Sequence, residues 1–149
     1  MSKPEFVYVT YIETTPEKLW DALTNSDFTE RYWFGYRATS DWKAGSPYHI
    51  AKDGQRSVEG MVLVSDRPNK LVYAWDVVKY ADRERTSRVT FDIEPRGTVV
   101  QLTVTHDELD ERGRTLRDIS GGWPMVLASL KSFLETGKPL PADLPSRAA

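Results

Sequence analysis

The chain has 149 residues, 20 basic and 22 acidic side chains, a net charge of -2 and no cysteine. That length suits one domain with its own core, while the missing thiols exclude disulfides, thiolate metal sites and cysteine nucleophiles. The mixed charges lack the basic stripe that nucleic acid demands, and neither a signal-like apolar start nor a run of ~18 apolar residues occurs, so a soluble cytoplasmic protein without a membrane span is expected.

In chain order, residues 6–13 are rich in β-branched and aromatic side chains and read as a first strand. Thr14 or Thr15 offers an N-cap and Pro16 a first turn for a short helix that places Leu19, Trp20 and Leu23 on one side. Asn25, Ser26 and Asp27 break that helix and cap a second over residues 28–33, which ends before Gly35. From Tyr36 the pattern turns to strands, punctuated at residues 44–47 and by a hairpin turn at 52–55. Residues 58–65 and 71–78 form strands joined by 66–70, and the charged run 79–85 reads as a loop outside the core. Residues 87–94 and 99–105 alternate apolar and polar, so they pair across a turn at 95–98. A polar connection from Asp107 to about Leu116 leads to the final helix, residues 121–137, with Trp123, Val126, Leu127, Leu130, Phe133 and Leu134 on one face. Gly137 and Pro139 stop it, which leaves a core of about 6–137 and a tail over 138–149. A long helix laid on a curved antiparallel sheet leaves room between them for a small apolar molecule.

Six strings sharpen this order: Thr15-Pro16-Glu17-Lys18-Leu19-Trp20-Asp21-Ala22-Leu23-Thr24, Asp41-Trp42-Lys43-Ala44-Gly45-Ser46-Pro47, Leu71-Val72-Tyr73-Ala74-Trp75, Val89-Thr90-Phe91-Asp92-Ile93-Glu94-Pro95, Leu102-Thr103-Val104-Thr105-His106, and Gly122-Trp123-Pro124 through Leu134-Glu135-Thr136-Gly137. In them the chain resembles the bacterial relatives of the activator of the ninety-kilodalton heat-shock protein's ATPase, within the START-like superfamily. The resemblance implies an α+β helix-grip fold: six to seven antiparallel strands curved around a long C-terminal helix, with two short helices after strand one. It also implies a hydrophobic cavity under that helix, and relatives that bind lipids, polyketides or hormones or serve as co-chaperones. It brings no family-wide catalytic set. The eukaryotic activators carry an additional N-terminal domain, which is not expected here.

Five Trp and seven Tyr make the interior ring-rich. Trp33, Trp42, Tyr48, Tyr73, Trp75 and Trp123, with Leu127 on the last helix, are the candidate ligand contacts, because an indole or phenol pairs a large apolar face with one polar atom. Trp20 is assigned to packing, Trp75 serves core or pocket, and Trp123 lines the pocket where helix and sheet diverge. His106 ends a β-branched strand and is read first as a packed, hydrogen-bonded residue, with ligand anchoring as the alternative. His49 falls on an edge strand, too far away for metal-ligand spacing, so no metal and no cofactor is expected. Arg88, Arg117 and Asp118 are read as solvated, as is Glu59. No nucleophile elbow or phosphate loop occurs, and Asp107 points away from His106 on the same strand.

Three readings follow from different classes. The first is a binding protein for a hydrophobic, ring-bearing or lipid-like small molecule. The second is a co-chaperone-like interaction module, as monomer or homodimer. The third is a cavity enzyme of cyclase or hydrolase type, for which no catalytic residues are recognisable.

Overall fold

Period-two alternation on two neighbouring strands determines which side of the sheet becomes the interior. The computed structural model describes residues 4–141. In it β6 (Ser87–Arg96) and β7 (Val99–Asp107) pair antiparallel with Phe91 opposite Val104, Ile93 opposite Leu102 and Val89 opposite His106. All six side chains are buried, so one continuous inner face exists and His106 lies on it. β1 (Phe6–Ile12) joins the other side of β7 and turns Val7, Val9 and Tyr11 outward. Beyond β6 come β5 (Lys70–Val77), β4 (Gln55–Asp66), β3 (Pro47–Lys52) and β2 (Arg37–Ser40). The seven strands follow the order β1-β7-β6-β5-β4-β3-β2, and every neighbouring pair is antiparallel. Register shifts at Ile50/Ala51 and at Val62/Val64 bend β3 and β4, as extra residues in a ladder do.

The two short helices separate the first strand from the second. α1 (Pro16–Thr24) is capped by the Thr15 hydroxyl, which accepts from the Lys18 amide at 3.2 Å. α2 (Ser26–Tyr32) is capped by Asn25, whose side chain accepts from Asp27 and Phe28. Leu19, Trp20 and Leu23 are buried, and Trp20 is core as its spacing requires.

α3 (Arg114–Thr136) crosses the inner face and closes with Gly137, which takes the left-handed conformation at φ 82° and donates back to Phe133. This is the helix-grip architecture, with Leu127 and Leu130 at 2% and 0% exposure under the sheet. Burial of each such leucine is worth roughly 1.5–3 kcal/mol.

The structure departs from the sequence reading at four places. α3 begins at Arg114 and not near residue 121, because Leu116 and Ile119 extend the apolar stripe backwards and a distant carboxylate caps the new end. Glu84 accepts from the amides of Arg114 at 3.0 Å and Thr115 at 3.2 Å. A Cβ at Gly113 would displace the Glu84 carboxylate from this position. Within the charged run 79–85, Tyr80 is buried at the end of a 3₁₀ turn (Val78–Tyr80). Pro95 and Arg96 still pair, with Val100 and Val99, so the turn narrows to two residues. His49 lies on β3, one strand in from the edge, because β2 supplies the edge.

The tail expected from residue 138 is tied back at its start: Leu140 donates to the Ser129 hydroxyl at 3.1 Å and the Lys138 carbonyl accepts from Ser132. The remainder of that expectation, residues 142–149, lies outside the described residues.

Because Glu84 caps α3 across the chain, Glu84→Ala is expected to cost about 1 kcal/mol in urea unfolding, the usual value of a lost cap. Amide exchange at Arg114 and Thr115 should quicken selectively. Unchanged exchange at those two amides would show that the cap comes from elsewhere.

Candidate functional site

The six aromatic residues singled out in the sequence form one chain of ring contacts under the sheet, and it divides into two parts. Trp42, Tyr48 and Tyr73 pack together at one end, with Tyr48 and Tyr73 centroids 4.4 Å apart. Tyr73 passes the contact on to Trp75, and Trp75 meets Trp33 and Trp123 at the other end. Tyr48 and Tyr73 are buried, and the Tyr48 hydroxyl donates to the Ala74 carbonyl, so this end is filled. Burial raises the pKa of both phenols well above the ordinary value and keeps them neutral.

The other end is open. A cavity of about 480 Å³ lies between the first half of α3 and the paired ends of β4 and β5. Trp33, Trp75 and Trp123 form its wall, together with Val58, Val77 and Val126. Trp33 follows the last residue of α2 and stacks on Trp75 at 6.5 Å with 16° between planes. Trp123 stands 5.5 Å from each of them, at 57° and 50°. The Trp75 indole N–H is buried and has no hydrogen-bond partner. An unpaired buried donor costs roughly 1–3 kcal/mol, so position 75 is occupied for its ring face.

Of the sequence candidates, then, Trp33, Trp75 and Trp123 are brought to the cavity, whereas Trp42, Tyr48, Tyr73, His106 and Leu127 are not among its lining residues. Trp42, Tyr48 and Tyr73 pack in the closed end of the ring chain, and Leu127 is 2% exposed beneath the sheet. The sequence reading missed the rim, formed by Tyr36, Gln55, Arg56, Lys79 and Asp118. These are ordinary surface residues in the sequence, and they converge only because β4, β5 and α3 meet there. Gly122, beside Trp123, also lines the cavity and would meet nothing within 4 Å if it gained a Cβ.

His106 sits behind the cavity wall, at 0% exposure. The Trp123 indole Nε1–H donates to His106 Nδ1 at 3.0 Å, and His106 Nε2 lies 2.8 Å from the Ser87 hydroxyl. Because Trp123 has only a donor to offer, Nδ1 must accept, which leaves the proton on Nε2 and directs it to Ser87. Ser87 in turn donates to the Trp75 carbonyl at 3.2 Å. Both ring nitrogens are therefore used within the protein, and Trp123 presents the cavity with a ring face and no free donor. Burial pushes the His106 pKa down from 6.5 to about 4, against a smaller opposing pull from Asp107. Arg88 binds that carboxylate through two bonds, of 2.9 and 2.7 Å, on the other face of the sheet.

The family model described as Activator of Hsp90 ATPase homolog 1-like protein matches residues 13–135. No curated protein matches the chain. Among solved structures, the protein MLL2253 from Mesorhizobium loti is 25% identical with a TM-score of 0.74, and the match covers 88% of this chain and 96% of that one. PFC0360w, an HSP90 activator from Plasmodium falciparum, is 23% identical with a TM-score of 0.75, covering 87% of this chain and 95% of that one. The Aha1 dimer from Colwellia psychrerythraea is 20% identical with a TM-score of 0.71, covering 91% and 98%. These likenesses establish a shared fold. Among the described residues no helix is long and apolar enough to cross a membrane.

Neutral His106 is favoured in the folded chain, so protonation favours unfolding. Its contribution is complete above pH 6.5 and is lost as the pH falls from 6.5 to about 4, a loss on the order of 3 kcal/mol for a shift of this size. His106→Gln cannot titrate and should lose less stability across that window in urea titrations at stepped pH. An equal loss in wild type and variant would dissociate acid sensitivity from His106.

Proposed function

The chain belongs to the family of Activator of Hsp90 ATPase homolog 1-like proteins, and from that premise we propose that it is a binding protein for a hydrophobic, ring-bearing small molecule held between sheet and C-terminal helix. The observation that carries this reading is the three-tryptophan wall around a cavity of about 480 Å³. Small-molecule sites have this size range and this mix of many apolar groups with few polar ones. Burial of about 200 Å² of apolar ligand surface is worth on the order of 5 kcal/mol before immobilisation is subtracted, which places micromolar affinity within reach.

A second reading takes the family's name and the Plasmodium activator as guides and makes the protein a partner of a chaperone ATPase. It uses the outer surface, where Val7, Val9 and Tyr11 stand exposed on β1. The cavity has no role in it, so the two readings separate experimentally.

Gly121 and Gly122 supply the test, because neither is required by space: a Cβ at either position meets nothing within 4 Å. Gly122 lines the cavity and Gly121 does not. Gly121→Ala is expected to stabilise α3 by up to about 1 kcal/mol and to leave binding unchanged, whereas Gly122→Leu should fill the cavity. Native mass spectrometry of the three proteins, purified from the native host, should find a stoichiometric small molecule on wild type and Gly121→Ala and none on Gly122→Leu. Equal loading of all three would reject the cavity as the site. An empty wild type whose tryptophan emission ignores a panel of apolar ring compounds, but which alters a chaperone's ATPase rate, would establish the second reading.

A further inference from the structure

Resting on the cavity-binding reading, the geometry points to a ligand that is an amphipathic anion: a flat ring system seated on the tryptophans with a carboxylate, sulfonate or similar group at the rim, between Arg56 and Lys79.

The division of chemistry within the cavity carries the first half of this inference. Its wall consists of three indole faces and apolar side chains, and the Trp123 N–H is already given to His106. The charged side chains, Arg56, Lys79 and Asp118, are exposed, whereas the buried part of the lining offers only Thr115 and the unpaired Trp75 N–H as polar groups. A ligand that fits both zones is apolar and planar at one end and polar at the other, and the indole faces at 50° and 57° to one another suit ring edges and faces alike.

The sign of the rim charge carries the second half. The last β4–β5 pair towards the mouth is Val58 with Val77. Two residues before Val58 stands Arg56, and two residues after Val77, in the 3₁₀ turn Val78–Tyr80 that ends the ladder, stands Lys79; both line the cavity. Two like charges at one opening repel, and an anion between them removes that repulsion. Arg56 makes a single contact of 3.3 Å with Glu59, and both side chains are about half exposed, so most of the guanidinium remains available. Lys79 lies 5.0 Å from the Tyr80 ring centroid and forms no carboxylate ion pair among the described residues. One acid, Asp118, also lines the cavity; it accepts from the Tyr80 hydroxyl at 3.4 Å and has Arg117 at 3.9 Å, and against it Arg56 and Lys79 leave the lining net positive. Guanidinium and ammonium together suit an oxyanion, and Arg gives the fork geometry for two of its oxygens.

The experiment is a matched pair of fluorescent probes that share one ring system: 1-anilinonaphthalene-8-sulfonate, which is anionic, and N-phenyl-1-naphthylamine, which is neutral. Wild type should bind the sulfonate about five- to tenfold more tightly at low salt, the sum expected of two exposed ion pairs. The preference should shrink in 0.5 M sodium chloride and vanish in the Arg56→Gln/Lys79→Gln double variant, with affinity for the neutral probe unchanged. Gly122→Leu should abolish binding of both. Equal affinity for the two probes in wild type, lost in Gly122→Leu, overturns the anion while the cavity reading stands. Sulfonate binding that survives Gly122→Leu overturns it as well, by placing the anion on the outer surface. If neither probe binds wild type, the cavity reading falls and this inference with it.

Discussion

The hydrogen bond from the Trp123 indole to His106 Nδ1 is the constraint on which the arrangement of this protein turns. It is a buried polar contact between the middle of α3 and the end of β7, and it is directional where the surrounding apolar packing is not. Burial of leucine and valine is favourable but has no preferred direction. A single donor meeting a single acceptor does have one, because displacement would leave both buried and unpaired. The bond continues through Ser87 to the Trp75 carbonyl, so three strands and the helix share one chain of donors and acceptors.

That anchor divides α3 into two halves with different work. From Trp123 onward, Val126, Leu127 and Leu130 are buried and the helix grips the sheet. Before it, Gly121 and Gly122 have no packing reason to be glycine, and the Ser120 carbonyl gets no helical N–H from Pro124. The first half is held instead by Glu84 at its end, by the Tyr80–Asp118 contact and by buried Ile119. The cavity lies under this less densely supported half. Sparse packing and ligand space are the same fact seen from two sides: a helix packed as tightly there as at Leu130 would leave no room.

The ring chain shows how one composition serves two purposes. Tyr48, Tyr73 and Trp42 fill the sheet's concavity where β2, β3 and β4 curl over it, while Trp33 and Trp75 face open space because α2 ends at Tyr32 and the helix stands off. Residue type does not separate the groups. The distance between the layers does.

Much of this was legible in the sequence. Strand and helix order, the inward sets Val89/Phe91/Ile93 and Val100/Leu102/Val104, both short helices with their caps, and the stripe on the last helix follow from local periodicity and capping, which act over a few residues. So did the family, through its six strings, and the packed role of His106. The start of α3 was not legible, because its cap is a carboxylate 30 residues upstream. Nor was the rim, because Arg56, Lys79 and Asp118 are three solvated charges until strand register and helix placement bring them to one opening. The sequence by itself determined which side chains are apolar, which segments are regular and which faces turn inward, since those are short-range consequences of spacing. Only the tertiary structure decided which of the buried rings border a void and which charges meet at its mouth, since both depend on contacts between residues far apart in the chain.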